Sequence, residues 1–150
     1  MIKIDSLLSQ DCTLCAVPGK SKKFILQQIS DLAATKIHSS TAKDLLISLT
    51  NREKLGSTGI GKGIAIPHGK ISNDEQAVAV LVTVDKPILF DAIDDKPVDI
   101  FFALFVPENS CEQHLQTLAS VAQFFSDKEN SKQVRRCQNS QQLFKLITQA

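Results

Sequence analysis

A histidine stands between a proline and a glycine at residues 67–69 of the chain. Pro67 fixes its own φ and Gly69 lets the backbone turn, so we expect a short strand to end here and the His68 ring to face solvent. A neutral imidazole offers a nucleophilic nitrogen near pH 7, because its unperturbed pKa is about 6.5. A single histidine is more often an ordinary surface or core residue, but His68 could accept a phosphoryl group and pass it on.

Four glycines upstream of His68 could help to bind such a group. They are Gly56, Gly59, Gly61 and Gly63, with Ser57 and Thr58 between the first two. Without side chains to screen them, the backbone N–H groups of such a stretch can converge on an anion. The same composition is typical of a flexible surface loop, so the glycines alone leave phosphate binding and a plain loop equally open.

Nucleotide binding is the main rival interpretation of this stretch. Gly56, Gly61 and Lys62 match the Walker A spacing, but Gly63 stands where the magnesium-binding Ser or Thr belongs. The stretch also follows a predicted helix and precedes a predicted strand, which is the reverse of the Walker A order. The dinucleotide fingerprint fails too, because Ile66 occupies the place of its third glycine. We therefore treat both matches as accidental.

His114 lies in the first turn of a predicted helix, four residues before Leu118, and shares the inward apolar stripe of that helix. It could be a core histidine whose ring nitrogens are satisfied. It could also steady an anion held by a second histidine, because a helix N-terminus is positive. The third histidine, His38, stands in a polar loop and is expected to be exposed.

Four cysteines offer a possible metal site. Cys12-x-x-Cys15 and Cys111-x-x-His114 could together supply three thiolates and one imidazole to zinc. The half-motifs are distant in sequence and the core is large enough to fold alone, so we predict free thiols, including Cys137, with no metal and no cofactor. A thioredoxin-type site is not expected either, because no long strand is predicted to end at Cys12 and Val-Pro-Gly at 17–19 interrupts the following helix.

Capping signals and apolar periodicity predict two helices before the glycines. Ser21 begins the first, which ends near residue 35. Thr41 and Asp44 form a capping box that begins the second, and this helix ends near Arg52 or Lys54. The glycines that follow lower helix propensity by about 1 kcal/mol each relative to alanine, so the helix cannot continue through them.

Three further helices are predicted in the C-terminal third. Ser110, with Gln113 at the capping-box spacing, begins the longest of them. The residues expected on its core side are Leu115, Leu118, Val121, Ala122 and Phe125. Two shorter helices follow. One covers Ser131 to Cys137 and the other begins at Ser140. The first two helices and these three lie on either side of the predicted strands in the sequence.

Three predicted strands separate these groups of helices. Ile64 to Ile66 forms a short strand stopped by Pro67, and Ala77 to Val84 and Val98 to Val106 are apolar on both faces over much of their length. Doubly buried strands with helices on both sides in sequence predict a layered α/β fold with helices on both faces of the sheet. The strand order is not readable from the sequence.

Length and charge exclude several classes of protein. The chain has 150 residues, 17 basic and 16 acidic side chains, and neither Trp nor Tyr, which predicts one globular domain over residues 1–150 without the footprint of a nucleic-acid binder. The apolar runs are shorter than the roughly 20 residues that cross a bilayer, so no membrane insertion is expected. The first five residues lack a secretory signature, so we expect a cytoplasmic protein.

The stretch from Arg52 to Lys70 resembles the active-site segment of the enzyme IIA proteins of the phosphoenolpyruvate-dependent phosphotransferase system, fructose/mannitol class. It is most similar to the nitrogen-regulatory branch. Similarity continues through residues 87–94, 97–107 and 114–118, and so covers nearly the whole chain. The resemblance implies the type-2 IIA fold, a mixed β-sheet sandwiched between helices in three layers. Cys12, Cys15 and the region from Lys128 to Asn139 do not match the family pattern.

The resemblance also implies roles for the site residues. His68 would take a phosphoryl group on Nε2 from an HPr-like phosphocarrier protein. His114 matches the second active-site histidine of the family, and Arg52 matches the arginine beside the site. Ser57, Thr58 and Gly59 would contact the phosphate. An apolar rim made by Ile60, Ile64 and Ile66 is where we expect the donor to dock.

In the nitrogen-regulatory branch, similar proteins report their phosphorylation state to partners concerned with nitrogen, carbon and potassium balance, such as potassium-transport or sensor-kinase proteins. This resemblance therefore implies a regulatory switch. Two alternatives stay open. The chain could be a sugar-specific IIA component that passes its phosphate to a IIB domain, or a binding module whose histidine is not phosphorylated.

Overall fold

The computed structural model describes residues 4–149, so the expectations for residues 1–3 and 150 lie outside the described residues. The strands are β1 Leu8–Val17, β2 Gly59–Gly61, β3 Ile64–Ala65, β4 His68–Ile71, β5 Val78–Ile88 and β6 Val98–Pro107. The helices are α1 Lys22–Ala34, α2 Ala42–Lys54, α3 Cys111–Ser126, α4 Lys128–Arg136 and α5 Ser140–Thr148. Single 3₁₀ turns cover Ile4–Ser6 and Glu108–Ser110.

The six strands form one mixed sheet in the order β1-β5-β6-β3-β2, with β4 also paired to β6. β5 and β6 are antiparallel, whereas β1 runs parallel to β5 and both β3 and β4 run parallel to β6. β6 is the centre of the core, where Phe101, Phe102 and Phe105 are fully buried. Helices cover both faces, which confirms the predicted layered architecture and the doubly buried strands.

The first two helices begin where their capping signals predicted. The Ser21 side chain accepts a hydrogen bond from the N–H of Phe24, and Thr41 and Asp44 form a complete capping box. α5 begins at Ser140 as predicted, and α4 begins at Lys128, three residues before the predicted start. Asp127 caps α4, and its signal is hidden because α3 ends immediately before it.

The predicted start and inner face of α3 need correction. Ser110 makes no side-chain cap, because the chain enters α3 through a 3₁₀ turn and leaves Ser110 outside the extended conformation that a capping residue adopts. Leu115 is 62% exposed, so it does not belong to the core side of the helix. Leu118, Val121 and Phe125 are buried as expected.

β1 and β4 are among the strands that the sequence did not predict. β1 was not predicted, because Ser9, Gln10 and Asp11 interrupt its apolar pattern; as an edge strand it tolerates them. The short strand before Pro67 is present as predicted, since β3 ends at Ala65, but the chain does not leave the sheet there, because β4 begins at His68 and keeps the register of β3 against β6. The Pro67 carbonyl accepts a hydrogen bond from the N–H of Leu104, so the ladder lacks only the donor that proline cannot supply.

No helix within residues 4–149 is long and apolar enough to cross a membrane.

Candidate active site

A cleft of about 430 Å³ opens beside the first residue of β4. Its walls come from α2, β4 and the N-terminal half of α3. The lining residues that matter for chemistry and docking are Arg52 and Leu55 from the end of α2, His68 and Lys70 from β4, and Cys111, His114 and Leu115 from α3. The structure therefore brings together three of the predicted site residues, Arg52, His68 and His114.

Both ring nitrogens of His68 have partners that define its tautomer. Nδ1 lies 3.0 Å from the carbonyl oxygen of Ile66, which can only accept a hydrogen bond, so Nδ1 carries the proton. Nε2 lies 3.1 Å from the Arg52 Nε–H group, which can only donate. The lone pair of His68 is therefore on Nε2. The ring is half-buried and Nε2 is directed toward the cleft side of α2.

Arg52 connects the histidine to the glycine stretch. While its Nε–H group reaches His68, its Nη1 donates a 2.8 Å hydrogen bond to the carbonyl oxygen of Gly56. Arg52 lies in the last turn of α2, where the negative end of the helix favours a cation. The guanidinium is thereby fixed at the nitrogen that would carry a phosphoryl group.

Gly69 allows α2 to approach β4 closely enough for this contact. It does not turn the chain as predicted, because it lies inside β4 and is paired to Phe105 of β6. A Cβ atom there would lie 2.5 Å from the Oγ atom of Ser48. Ser48 in turn accepts a 3.1 Å hydrogen bond from the N–H of Lys70. One helical turn later the same face of α2 carries Arg52, so the missing side chain at Gly69 helps to place the guanidinium.

His114 enters the cleft from the first turns of α3 and is half-buried. Its Nδ1 atom is buried and has no hydrogen-bond partner within residues 4–149. An unpaired buried polar atom is costly, so it usually marks a group that binds a ligand. This geometry favours the anion-binding interpretation over a core histidine with both nitrogens satisfied. His38, by contrast, is exposed as expected.

The predicted phosphate ligands Ser57, Thr58 and Gly59 are bonded within the protein. The N–H and hydroxyl groups of Thr58 both donate to the carboxylate of Glu53. The Ser57 hydroxyl donates to the carbonyl oxygen of Phe90 and accepts from the N–H of Gly59. These three residues do not line the cleft. Their role as phosphate ligands stays a prediction, and it would require these bonds to open.

The glycine stretch is also more ordered than a flexible loop. Gly59–Gly61 pairs as β2 with β3, and a Cβ atom at Gly59 would lie 2.7 Å from the Cβ of Ala92. Gly63 has a φ of 82° and leaves room for the guanidinium of Arg135. These glycines therefore permit close packing of the hairpin.

Sequence reasoning missed Glu53, which binds the glycine stretch through Thr58. Its side chain is only 5% exposed, and one carboxylate oxygen lies 3.1 Å from the ammonium group of Lys22. The other binds the Thr58 hydroxyl. The clue available in the sequence is its position: Glu53 follows Arg52 directly and therefore points to a different side of α2.

Lys70 is the second residue that sequence reasoning missed. It lies two positions after His68. Because side chains two positions apart share a face of a strand, the sequence could have placed Lys70 beside His68 if a strand had been predicted there. Together with Arg52, Lys70 makes the cleft cationic, since the lining residues within the described part of the chain include no Asp or Glu. A doubly negative phosphoryl group suits this potential.

The expected apolar rim differs from the observed one. Ile64 is fully buried in β3 and cannot meet a partner, while Ile60 and Ile66 are half-buried. Leu55 and Leu115 are exposed by 85% and 62% on opposite walls of the cleft. They form the apolar rim, which α2 and α3 supply in place of the glycine stretch.

The residues of the possible zinc site lie apart. Cys12 donates to the carbonyl of Leu32 in α1, Cys15 contacts Cys137, and Cys111 lies in the cleft with His114. No cluster of three or more His, Cys, Asp or Glu side chains suited to a metal ion occurs within residues 4–149.

The fold and this histidine-bearing cleft match a known class of phosphotransfer domain. The model of the family described as "Phosphoenolpyruvate-dependent sugar phosphotransferase system, EIIA 2" matches residues 6–150. The chain belongs to this EIIA type-2 family, in its nitrogen-regulatory branch. Family membership supports a phosphocarrier role as a phosphotransferase component, and IIA proteins interact with phosphotransfer partners such as IIB domains.

Relatives in the nitrogen-regulatory branch span nearly the whole chain. The chain is 44% identical over 150 residues to the nitrogen regulatory protein of Klebsiella oxytoca, covering 99% of this chain and 92% of the relative. The crystal structure of nitrogen regulatory protein IIA-Ntr from Neisseria meningitidis has a TM-score of 0.87 at 35% identity and covers 97% of this chain and 99% of its own. IIA mannitol from Escherichia coli, at 14% identity and a TM-score of 0.74 over 93% and 97% of the two chains, shares the fold.

Proposed function

We propose that the protein is a phosphohistidine carrier that accepts a phosphoryl group on His68 Nε2 from an HPr-like phosphocarrier protein. The observation that carries the proposal is the state of the His68 ring. The Ile66 carbonyl holds the proton on Nδ1, so the Nε2 lone pair is available beside the guanidinium of Arg52. A nucleophile with a fixed tautomer in a cationic cleft is suited to this transfer.

In the transfer, the Nε2 lone pair attacks the phosphorus atom of the donor's phosphohistidine. The new P–N bond forms as the donor's P–N bond breaks, and that electron pair returns to the donor nitrogen. His68 keeps its Nδ1 proton, and the Ile66 carbonyl stabilises the positive charge that develops on the ring. No proton has to leave the site.

Arg52 and His114 stabilise the transferred group. The Arg52 Nε–H that now points at Nε2 turns to a phosphoryl oxygen, as a charge-assisted hydrogen bond. The unpartnered Nδ1 of His114 gains a partner when its N–H donates to a phosphoryl oxygen. Lys70 adds a further positive charge on the same face of β4.

The output of the carrier is the binding of partner proteins. Phosphorylation adds between about one and two negative charges to the cleft between Leu55 and Leu115. A partner that docks on this apolar rim without a cation would lose roughly 10-fold or more in affinity. Since relatives are named nitrogen regulatory proteins, we propose a regulatory role in nitrogen, carbon or potassium balance, in the cytoplasm, with potassium-transport or sensor-kinase proteins as candidate partners.

The test is intact-protein mass spectrometry with phosphoenolpyruvate and the general carrier proteins. Wild-type protein should gain one acid-labile phosphoryl group and His68→Ala none, whereas the matched control His38→Ala, at an exposed histidine, should label normally. Normal labelling of His68→Ala, or label on Ser57 or Thr58, would contradict the proposal. Partner capture with both phosphorylation states then tests the switch, which fails if every specific partner binds both states equally.

A further inference from the structure

The chain has a pair of neighbouring thiols on the side of the sheet that α4 and α5 cover. Cys15 lies near the end of the edge strand β1, and Cys137 follows α4 as its C-terminal cap. The Cys15 thiol donates to the carbonyl oxygen of Cys137 at 3.0 Å, although the two residues are far apart in the sequence. Both are free and half-buried.

The sequence motif Cys12-x-x-Cys15 suggests a different pair, which the fold separates. The Cys12 thiol points to α1, where it contacts the carbonyl of Leu32, whereas Cys15 points to the junction of α4 and α5. The two cysteines are three positions apart in a strand, which directs their side chains to opposite faces. Cys12 is also only 1% exposed. The pairing partner of Cys15 is therefore Cys137.

The Cys15 thiol is in direct contact with the backbone of Cys137. Burial, and then the charge of Cys15, raise the pKa of the Cys137 thiol. The Cys137 thiol contacts the carbonyl of Gln133 at 3.5 Å, one turn back in α4, so disulfide formation requires a change of its side-chain rotamer. The contact between the Cys15 thiol and the backbone of Cys137 brings the two chain segments together, which is the first condition for a disulfide.

We propose that Cys15 and Cys137 are a redox-modification site, at which a hydroperoxide oxidises the pair to an intramolecular disulfide that links β1 to the junction of α4 and α5.

The reaction has two balanced steps. The Cys15 thiolate attacks the peroxide O–O bond, takes one oxygen as a sulfenic acid and releases water or an alcohol. The Cys137 thiol, as its thiolate, then attacks the Cys15 sulfur; the S–S bond forms and water leaves with the proton. The peroxide is reduced by two electrons and the thiols are oxidised by two. Cys137 has the second role, because burial raises the pKa of its thiol and so lowers its thiolate fraction.

The Cys15–Cys137 disulfide would stabilise the C-terminal end of α4, which contacts the β2–β3 turn of the glycine stretch. Two residues before Cys137, Arg135 forms an ion pair with Asp99 at 2.8 Å and donates to the Lys62 carbonyl in the β2–β3 turn. The disulfide would close a loop that contains most of the chain. Because such a loop restricts the unfolded state strongly, we expect oxidation to raise Tm by roughly 5–15 °C.

The first test is non-reducing peptide mapping after treatment with hydrogen peroxide. Trypsin cleaves after Lys3, Lys20 and Arg136, so Cys15 and Cys137 fall in separate peptides. Wild type and the control Cys111→Ser should lose two thiols per chain and yield one linked peptide, which fragmentation assigns to Cys15. Cys15→Ser and Cys137→Ser should yield none. A Cys12–Cys15 bond, a disulfide-linked dimer, or oxidation without a link would overturn the proposal.

A second test examines the order of the steps and the bracing. Dimedone should trap a sulfenic acid on Cys15 in Cys137→Ser, and trapping on Cys137 in Cys15→Ser at a higher rate would reverse the assignment. Oxidised wild type should melt at the higher temperature and return to the original Tm with dithiothreitol. An unchanged or lowered Tm in the oxidised protein would contradict the bracing role.

Discussion

Two regions of the molecule were expected to bind the same phosphate, and they differ in how their polar groups are satisfied. In the glycine segment, residues 56–63, the groups predicted to contact phosphate already donate to Glu53, Phe90 and Ser57. In the cleft, the buried Nδ1 of His114 has no partner within residues 4–149, and His68 Nε2 shares a single hydrogen bond with Arg52.

The difference separates a structural role from a chemical one. A buried polar group with a good partner contributes to the stability of the fold. A buried polar group without a partner instead lowers the free energy of the complex when it binds a ligand. With these bonds in place the glycine segment supports the cleft, to which it is connected through the hydrogen bond from Arg52 to Gly56. Changes in the support should lower stability, and changes in the cleft should lower the transfer rate.

Glu53→Ala should produce the largest effect, a loss of about 3 kcal/mol in the free energy of unfolding, because it removes the nearly buried acceptor of Thr58 and leaves Lys22 with the exposed carboxylate of Asp91 as its ion-pair partner. Urea denaturation measures it. Glu53→Gln, which keeps one acceptor oxygen, should lose clearly less. Equal stability of wild type and Glu53→Ala would remove the supporting role.

His114→Ala should slow phosphorylation by roughly 10-fold, equal to about 1.4 kcal/mol, because the phosphoryl group loses one hydrogen-bond donor. Stability should stay the same or rise slightly, since an unpaired buried nitrogen is removed. Rapid-quench kinetics and urea denaturation of the same preparation give both values. Wild-type rates with lowered stability would make His114 a structural residue and break the contrast between the regions.

Gly69→Ala should raise the free-energy barrier to phosphoryl transfer by about 1 kcal/mol. The new Cβ would lie 2.5 Å from the Ser48 hydroxyl and push α2, which carries Arg52, away from His68. The double variant with Ser48→Ala should recover most of the lost rate, and a double-mutant cycle measures the coupling. If Ser48→Ala gives no recovery, the approach of α2 does not place Arg52.

Asp94→Asn should have the smallest effect, and it should depend on pH. The N–H group of Lys62, and then that of Lys96, lower the pKa of the Asp94 carboxyl. A lowered folded-state pKa contributes stability above the unfolded value that is lost as pH falls through the folded value. Wild type should therefore exceed the variant in urea midpoint at about pH 6 and match it at about pH 2. The same difference at both values would exclude Asp94 titration as the cause.

The sequence predicted the elements with strong local signals, and three of its candidate site residues, Arg52, His68 and His114, line one cleft. The Thr41–Asp44 capping box and the doubly buried strand at Val98 were confirmed because both depend on near neighbours or on total burial. β1 could not be predicted, because its neighbour β5 stabilises a strand that carries Asp11 on its exposed side.

The contacts within the site depend on distances between elements, which a sequence does not contain. The approach of Arg52 to His68 results from the packing of Ser48 over Gly69. Likewise, the Thr58 hydroxyl is already hydrogen-bonded only because the fold places Glu53 beside it. The sequence could therefore indicate candidate phosphate-binding groups. Only the structure could show which of these groups already have hydrogen-bond partners within the protein.

Nuclear magnetic resonance of phosphorylated protein with ¹⁵N-labelled histidine tests the central claim most directly. Coupling between phosphorus and the ring nitrogens identifies the atom that carries the phosphoryl group. The hydrogen bond from Nδ1 to the Ile66 carbonyl predicts phosphorus on Nε2 of His68 with the Nδ1 proton retained. Phosphorus on Nδ1 of His68, or on His114, would contradict the account.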